Sequence, residues 1–230
     1  MHINKLKWDS AFFGFPVGEL KIIKRVDAEY LVRTLNKTEY KVTYLHSDDI
    51  SIFEESITLF GYRDIRMTYK LHSIDAQRIP DSVHIYKGRL TDELLSLALM
   101  SGKYSRFKLD PLFAPWYQKL FKTWIEKSLS GEIADAVFVA YKDSSIAGFI
   151  TLKKRGSVGH IGLIAVHPKY RGLGIASSLM RAAEAWYYNH GCKKAFVVTQ
   201  SQNIQACGLY VRSGYSIFSK QVLLHYWSPQ

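Results

Sequence analysis

The chain has 230 residues, 47% of them hydrophobic and 22% charged, enough apolar side chain to core one large or two small globular domains. That balance excludes a disordered or low-complexity protein. Lys and Arg number 31 against 20 Asp and Glu, a net charge of +11, which suits phosphate-bearing partners: nucleic acid, an anionic surface or a small phosphorylated ligand.

From the N-terminus, Met1-His2-Ile3-Asn4-Lys5 leads into charged and aromatic residues rather than an apolar leader, and no apolar run reaches membrane length. A soluble, cytoplasmic protein with no membrane partner is expected. Val42-Thr43-Tyr44-Leu45 reads as a strand, Ile52 to Leu59 as an amphipathic segment, and Met67 to Leu71 alternates like a strand. Laid over Ala195 to His225, the stretch Val42 to His72 repeats an order of strand, helix, Gly-Tyr pair and closing strand, with Gly61-Tyr62 against Gly214-Tyr215. Few identities survive. Asn203 and Tyr210 of the second copy fall opposite Ile50 and Ile57 of the first, so the first copy lacks both polar groups.

Further along, Val158 to Val166 is an apolar strand run. Residues 166–176 then read Val-His-Pro-Lys-Tyr-Arg-Gly-Leu-Gly-Ile-Ala, a proline turn, an arginine and two spaced glycines. They open a helix on which Leu179, Met180, Ala183 and Trp186 recur at helical spacing up to Gly191. Glycines let backbone approach a ligand closely, and the first-turn N–H groups of a helix attract anions, so the segment reads as a pyrophosphate cradle. It lacks the Gly-Lys-Ser/Thr of an NTPase loop, and Ser177 stands where a dinucleotide fold has its third glycine. Ala195 to Thr199 is the next strand, and Asn203 to Arg212 a helix ending in Ser213-Gly214-Tyr215. Cys192 and Cys207 have neither CxxC nor Cys/His ligand spacing, so free thiols and no metal are expected.

Arg171-Gly172-Leu173-Gly174-Ile175-Ala176, set between strand and helix, resembles the Arg/Gln-x-x-Gly-x-Gly/Ala loop of the GNAT acetyltransferases, and Asn203 to Tyr215 resembles that family's second motif. The resemblance implies acetyl-CoA as co-substrate, its pyrophosphate on Arg171 to Ala176. It also implies an acetyl carbonyl held by the amides of Ile164, Ala165 and Val166, and a cofactor arm touching Asn203. Tyr210 would face the sulfur and protonate the leaving thiolate, a transfer open to a phenol of pKa ~10. The competing reading of Tyr210 is a helix-packing residue one turn from Ala206. For the general base, His160 is the nearest candidate; a solvent-facing histidine, with a water chain to a distant carboxylate as base, serves equally. The implied fold class is α/β: a mixed, mostly antiparallel splayed sheet with helices on both faces. Residues 81–230 would form this catalytic domain and residues 1–80 a smaller, partial, non-catalytic GNAT-like unit; whether that unit drives homodimer formation is left open.

Trp8-Asp9-Ser10-Ala11-Phe12-Phe13-Gly14, Ser105-Arg106-Phe107, Pro115-Trp116-Tyr117 and Trp124 to Ser128 are similar to the TDP-fucosamine acetyltransferase subgroup. This likeness implies an acceptor amine on a nucleotide-linked amino-dideoxy sugar, as in cell-surface polysaccharide biosynthesis. Arg106 could then bind a nucleotide phosphate bidentately and Phe107 stack on the base or sugar, while Trp116, Tyr117 and Trp124 fit ordinary helix packing better. Residues 108–114 add length between two of these blocks. Lys153-Lys154-Arg155 and Lys193-Lys194 lack an RNA-binding context, so nucleic acid is not expected; the 3′-phosphate of CoA, a nucleotide acceptor or a solvated face accounts for them. Two rival functions remain: acetylation of a protein or peptide amine, and a non-enzymatic CoA-binding module.

Overall fold

A computed structural model describes residues 2–49, 51–52, 60 and 62–229. Its contacts divide the chain into two units, Met1–Met67 with Gln200–Gln202 and Ser219–Gln230, and Thr68–Thr199 with Asn203–Phe218. The expected boundary near Pro80 falls inside the range of the second unit, and the last residues of the chain belong to the first.

In chain order the first unit contains β1 (Asn4–Lys5), α1 (Lys7–Phe13), β2 (Val17–Lys21), α2 (Ala28–Leu35), β3 (Val42–Ser47) and the start of β4 (Tyr62–Leu71). β2 pairs antiparallel with β1 but parallel with β3. A parallel pair needs a crossover, and α2 supplies it. The Asp27 carboxylate caps α2 by accepting the Tyr30 N–H at 2.7 Å, and Leu31 and Leu35, one turn apart, enter a core with Leu20, Ile22, Leu45 and Phe60. The expected strands at Val42 to Leu45 and Met67 to Leu71 lie within β3 and β4. Of the proposed repeat, Ile50, Ile57, Gly61 and the rest of the segment 53–59 lie outside the described residues.

The second unit continues with β5 (Val83–Ile85), α3 (Asp92–Ser101), α4 (Arg106–Leu109), α5 (Tyr117–Leu129), β6 (Ala136–Lys142), β7 (Ser145–Arg155) and β8 (Val158–Val166). Next come α6 (Ile175–Asn189), β9 (Lys194–Gln200), α7 (Ile204–Arg212) and β10 (Ser216–Trp227), whose later residues return to the first unit and pair antiparallel with β3. β5 to β8 form an antiparallel series, whereas β8 and β9 run parallel, which gives the mixed sheet. Successive residues of β7 face opposite sides. Phe149 joins the cluster of Leu94, Leu97, Ala98 and Ile125 from α3 and α5, while Gly148 abuts Ile175 of α6. Helices therefore cover both faces.

Two irregularities in β8 matter for function. Its register with β7 shifts between Ile150 and Leu152, and there the Thr151 hydroxyl accepts the Leu163 N–H at 2.8 Å. Its parallel ladder with β9 covers Val158 to Ile161, so Gly162 to Val166 run clear of that neighbour. Upstream of this point β8 is clamped by α6. A Cβ on Gly159 would stand 2.6 Å from the ring of Tyr187, which is fully buried.

Gly159→Ala should consequently overpack this seam and lower stability by about 1–3 kcal/mol, read as a reduced urea midpoint at constant m-value. Adding Tyr187→Leu should recover part of the loss; an unchanged midpoint in Gly159→Ala would mean that the ring is not held in place.

Candidate active site

After β8 the chain makes a 3₁₀ turn, Pro168–Tyr170, with proline in its first position and the His167 ring nitrogen accepting the Lys169 N–H at 3.3 Å. Tyr170 is buried and anchors the turn. Arg171 follows in extended conformation, its Nε donating to the Val166 carbonyl at 3.3 Å. Gly172 has φ +78° and Gly174 φ +76°, and Gly174 is the residue from which α6 starts. A Cβ at either position would meet nothing within 4 Å, so the two glycines are needed for their left-handed backbone and not for space. No side chain caps α6. Its first-turn N–H groups have no carbonyl one turn back, and the helix dipole adds to their affinity for an anion.

Beside this loop lies a cavity of about 390 Å³. Ile164, Ala165 and Val166 of β8 form one wall, and the loop contributes Arg171, Gly172, Gly174, Ile175 and Ala176. Asn203, Gln205, Ala206, Leu209 and Arg212 line it from α7, and Met100, Ser101, Lys103 and Tyr104 from the end of α3. Lys103, Arg171 and Arg212 are cationic, and no carboxylate is among the described residues that line it. Asn203 caps α7: its Oδ1 accepts the Ala206 N–H at 3.3 Å and its Nδ2 donates to Thr199 Oγ1 at 3.2 Å. One further donor and one further lone pair of the amide remain for a ligand.

Nine residues singled out from the sequence therefore meet around one cavity: Ile164, Ala165, Val166, Arg171, Gly172, Gly174, Ile175, Ala176 and Asn203. Leu173 does not line it; its side chain, 60% exposed, points to solvent between the two glycines. Arg106 and Phe107 also lie outside the lining. Phe107, 6% exposed, is committed to a cluster with Phe113 and Trp124, ring centroids 5.4 and 5.8 Å away, with the Arg106 guanidinium over its ring. Its ring has no free face for a base or sugar. Tyr117 and Trp124 are packing residues, as their helical spacing suggested; the Tyr117 hydroxyl donates to the Leu99 carbonyl.

Tyr210 is 3% exposed and does not line the cavity, although its helix neighbours Ala206 and Leu209 do. Its ring packs at 5.5 Å from Tyr69 and 6.3 Å from Tyr215. Burial, aided by Cys207 and Tyr69, pushes the phenol well above its ordinary range, so it holds its proton at neutral pH. The neighbouring Tyr69 is pushed up to about 12, mainly by burial, and its hydroxyl shares a hydrogen bond with Cys207.

His160 is half-buried at the start of β8, stacked 6.0 Å from Phe196, with its pKa lowered by burial and by Arg155. At ~3.3 Å per strand residue it stands about 13 Å from Ile164, too far for a base acting at that end of the strand. The basic cluster of β7 is also elsewhere: Lys153 pairs with Asp135 at 2.6 Å, and Lys154 donates to the His190 carbonyl at 2.5 Å. These lysines tie strand ends together, and neither lines the cavity, where the cations are Lys103, Arg171 and Arg212. Gln205, Leu209 and Arg212 could have been found by extending the helical period of α7, and Lys103-Tyr104 directly precede Ser105-Arg106.

Residues 103–215 match the sequence model of the Acetyltransferase (GNAT) family. The matched segment, 113 of the 230 residues, is thus similar to a GNAT acetyltransferase domain. Among solved structures, a GNAT-family protein from Novosphingobium aromaticivorans is similar at 14% identity and TM-score 0.57, over 87% of this chain and 79% of the other. A protein of unknown function from Staphylococcus epidermidis matches at 14% identity and TM-score 0.61, over 93% and 84%. A tandem GNAT protein from the clavulanic acid biosynthesis pathway matches at 11% identity and TM-score 0.54, over 87% and 68%. These likenesses establish that the chain has the α/β GNAT fold, with its mixed open sheet.

Because only backbone conformation demands glycine in the loop, Gly174→Ala should raise the Kd for coenzyme A roughly 5- to 30-fold, the equivalent of about 1–2 kcal/mol of left-handed strain. In the same calorimetric titration Leu173→Ala should bind like the unaltered protein.

Proposed function

We propose that this acetyltransferase moves the acetyl group of acetyl-CoA directly to an amine on a nucleotide-linked amino-dideoxy sugar, with TDP-4-amino-4,6-dideoxygalactose as the best candidate. The observation that carries the reading is the charge of the cavity: three cations and no carboxylate among the described residues that line it. Such a site favours a donor and an acceptor that both bear phosphate and disfavours polyamines and basic peptides. The wall formed by Met100 to Tyr104 leads straight into Ser105-Arg106, where Arg106 would take an acceptor phosphate.

In this mechanism the pyrophosphate rests on Gly172 to Ala176 and the first turn of α6, and Asn203 contacts the pantetheine arm. The acceptor amine, after losing a proton, attacks the thioester carbonyl carbon. Amides of Ile164 to Val166 that do not serve the β7 ladder stabilise the oxyanion. Collapse breaks the C–S bond and Tyr210 supplies the proton to sulfur, having kept it through burial. No covalent enzyme intermediate forms. Residues 1–80 act as the non-catalytic partial GNAT-like unit; the isoleucines opposite Asn203 and Tyr210, and the likeness to a tandem GNAT protein, support that assignment.

Release of CoA thiol from acetyl-CoA, measured against TDP- and UDP-linked 3-amino and 4-amino dideoxyhexoses with an acidic peptide alongside, tests the reading. Turnover confined to a nucleotide amino sugar is expected; turnover on the peptide alone would overturn the acceptor while leaving the family intact. With the active acceptor, Tyr210→Phe should lower kcat by about 10²-fold and leave acetyl-CoA affinity nearly unchanged, and a near-normal kcat would remove Tyr210 from the mechanism.

A further inference from the structure

Within α7, Gly208 is an anomaly, because glycine in a helix interior is destabilising relative to alanine. Its backbone is helical, so the residue is not there for a left-handed φ. What occupies the space of the missing side chain is the guanidinium of Arg212, one turn later: a Cβ on Gly208 would lie 3.0 Å from Arg212 Nη1 and 3.9 Å from Cζ. Helical side chains lean toward the N-terminus over the preceding turn, which brings Arg212 onto this bare patch. Gln205, Leu209 and Arg212 share one side of α7 and line the cofactor cavity.

Acetyl-CoA carries two separate anionic centres, the pyrophosphate and the 3′-phosphate of its ribose. Of the three cations around the cavity, Arg171 belongs to the glycine loop and is tied to the Val166 carbonyl. Lys103 sits at the end of α3 over the ring of Tyr104, at 5.2 Å, next to Ser105-Arg106. Arg212 stands apart from both on α7, with no carboxylate among the residues lining the cavity to neutralise it. We infer that Arg212, seated over Gly208, is the ligand of the 3′-phosphate, and that Gly208 is the residue that positions it. The inference rests on the acetyl-CoA reading of this cavity. A planar, permanently charged guanidinium that bonds phosphate in bidentate fashion suits a dianionic monoester better than a lysine does.

The test compares Kd values for CoA and 3′-dephospho-CoA by calorimetry, in the unaltered protein and in Arg212→Gln, Gly208→Ala, Lys103→Gln and Arg171→Gln. The unaltered protein should prefer CoA by roughly 10-fold or more. Arg212→Gln should bind both ligands with the affinity the unaltered protein has for 3′-dephospho-CoA, so the preference disappears without loss of the site. Gly208→Ala should diminish the preference with every charge retained, whereas Lys103→Gln and Arg171→Gln should keep it. An equal affinity for both ligands in the unaltered protein, a full preference in Arg212→Gln, or its loss in Lys103→Gln or Arg171→Gln would overturn the assignment to Arg212. A full preference in Gly208→Ala would overturn the role of the glycine. If the unaltered protein bound neither ligand, the acetyl-CoA reading itself would fall.

Discussion

The active site depends on β8 abandoning its parallel ladder with β9 after Ile161. A strand that leaves one partner inside a sheet exposes backbone groups that must be satisfied or lost to solvent, a cost comparable to a hydrogen bond for each group. Here the departure is made on a strand still held by β7, where the ladder itself shifts at Thr151 and a hydroxyl takes over the amide of Leu163. The substitution leaves no room for a side chain opposite. A Cβ on Gly162 would fall 2.7 Å from Thr151 Oγ1. A short polar residue on one strand and a glycine on the next thus create the opening, and Ile164 to Val166 of the edge so produced line the cavity.

The charge of the molecule acts at two levels. A net +11 raises the local concentration of any phosphate ligand over distances of about one Debye length, without selecting among phosphates. Selection requires fixed geometry, and the lysine clusters that dominate the sequence do not provide it at the cavity, because Lys153 and Lys154 are already engaged with Asp135 and the His190 carbonyl. The cations that remain are few and come from three different elements.

How far the site could be read from sequence follows from how local each requirement is. Gly172 and Gly174 were legible because a left-handed backbone between a strand and a helix constrains residue type at those positions alone. Asn203 was legible as the residue opening a helix, and the structure adds that its side chain caps that helix. Phe107 was not, since whether an aromatic ring stacks on a ligand or on Phe113 and Trp124 is decided by α5, which arrives later in the chain. Lys103 and Tyr104 reach the cavity only through packing of α3 on β7 and β8, a contact that no short motif announces. The mixed sheet was implied by the resemblance to the GNAT family, whereas the register shift at Thr151 leaves no periodic trace, being a single interruption in an otherwise apolar strand.

Burial sets the terms on which Tyr210 could serve as proton donor. A phenol raised by desolvation is a weaker acid, which taken alone counts against donation to a thiolate that is moderately basic in water. A departing CoA thiolate held beside α7 would also lose part of its hydration, however, and desolvation raises a thiol as it raises a phenol. Proton transfer depends on the difference between the two, so a shared environment preserves the match that exists in water while strengthening every hydrogen bond along the path. The packing of Tyr210 against Tyr69 and Tyr215 then has a chemical consequence beyond stability: it keeps the hydroxyl protonated and the competing donor, bulk water, at a distance.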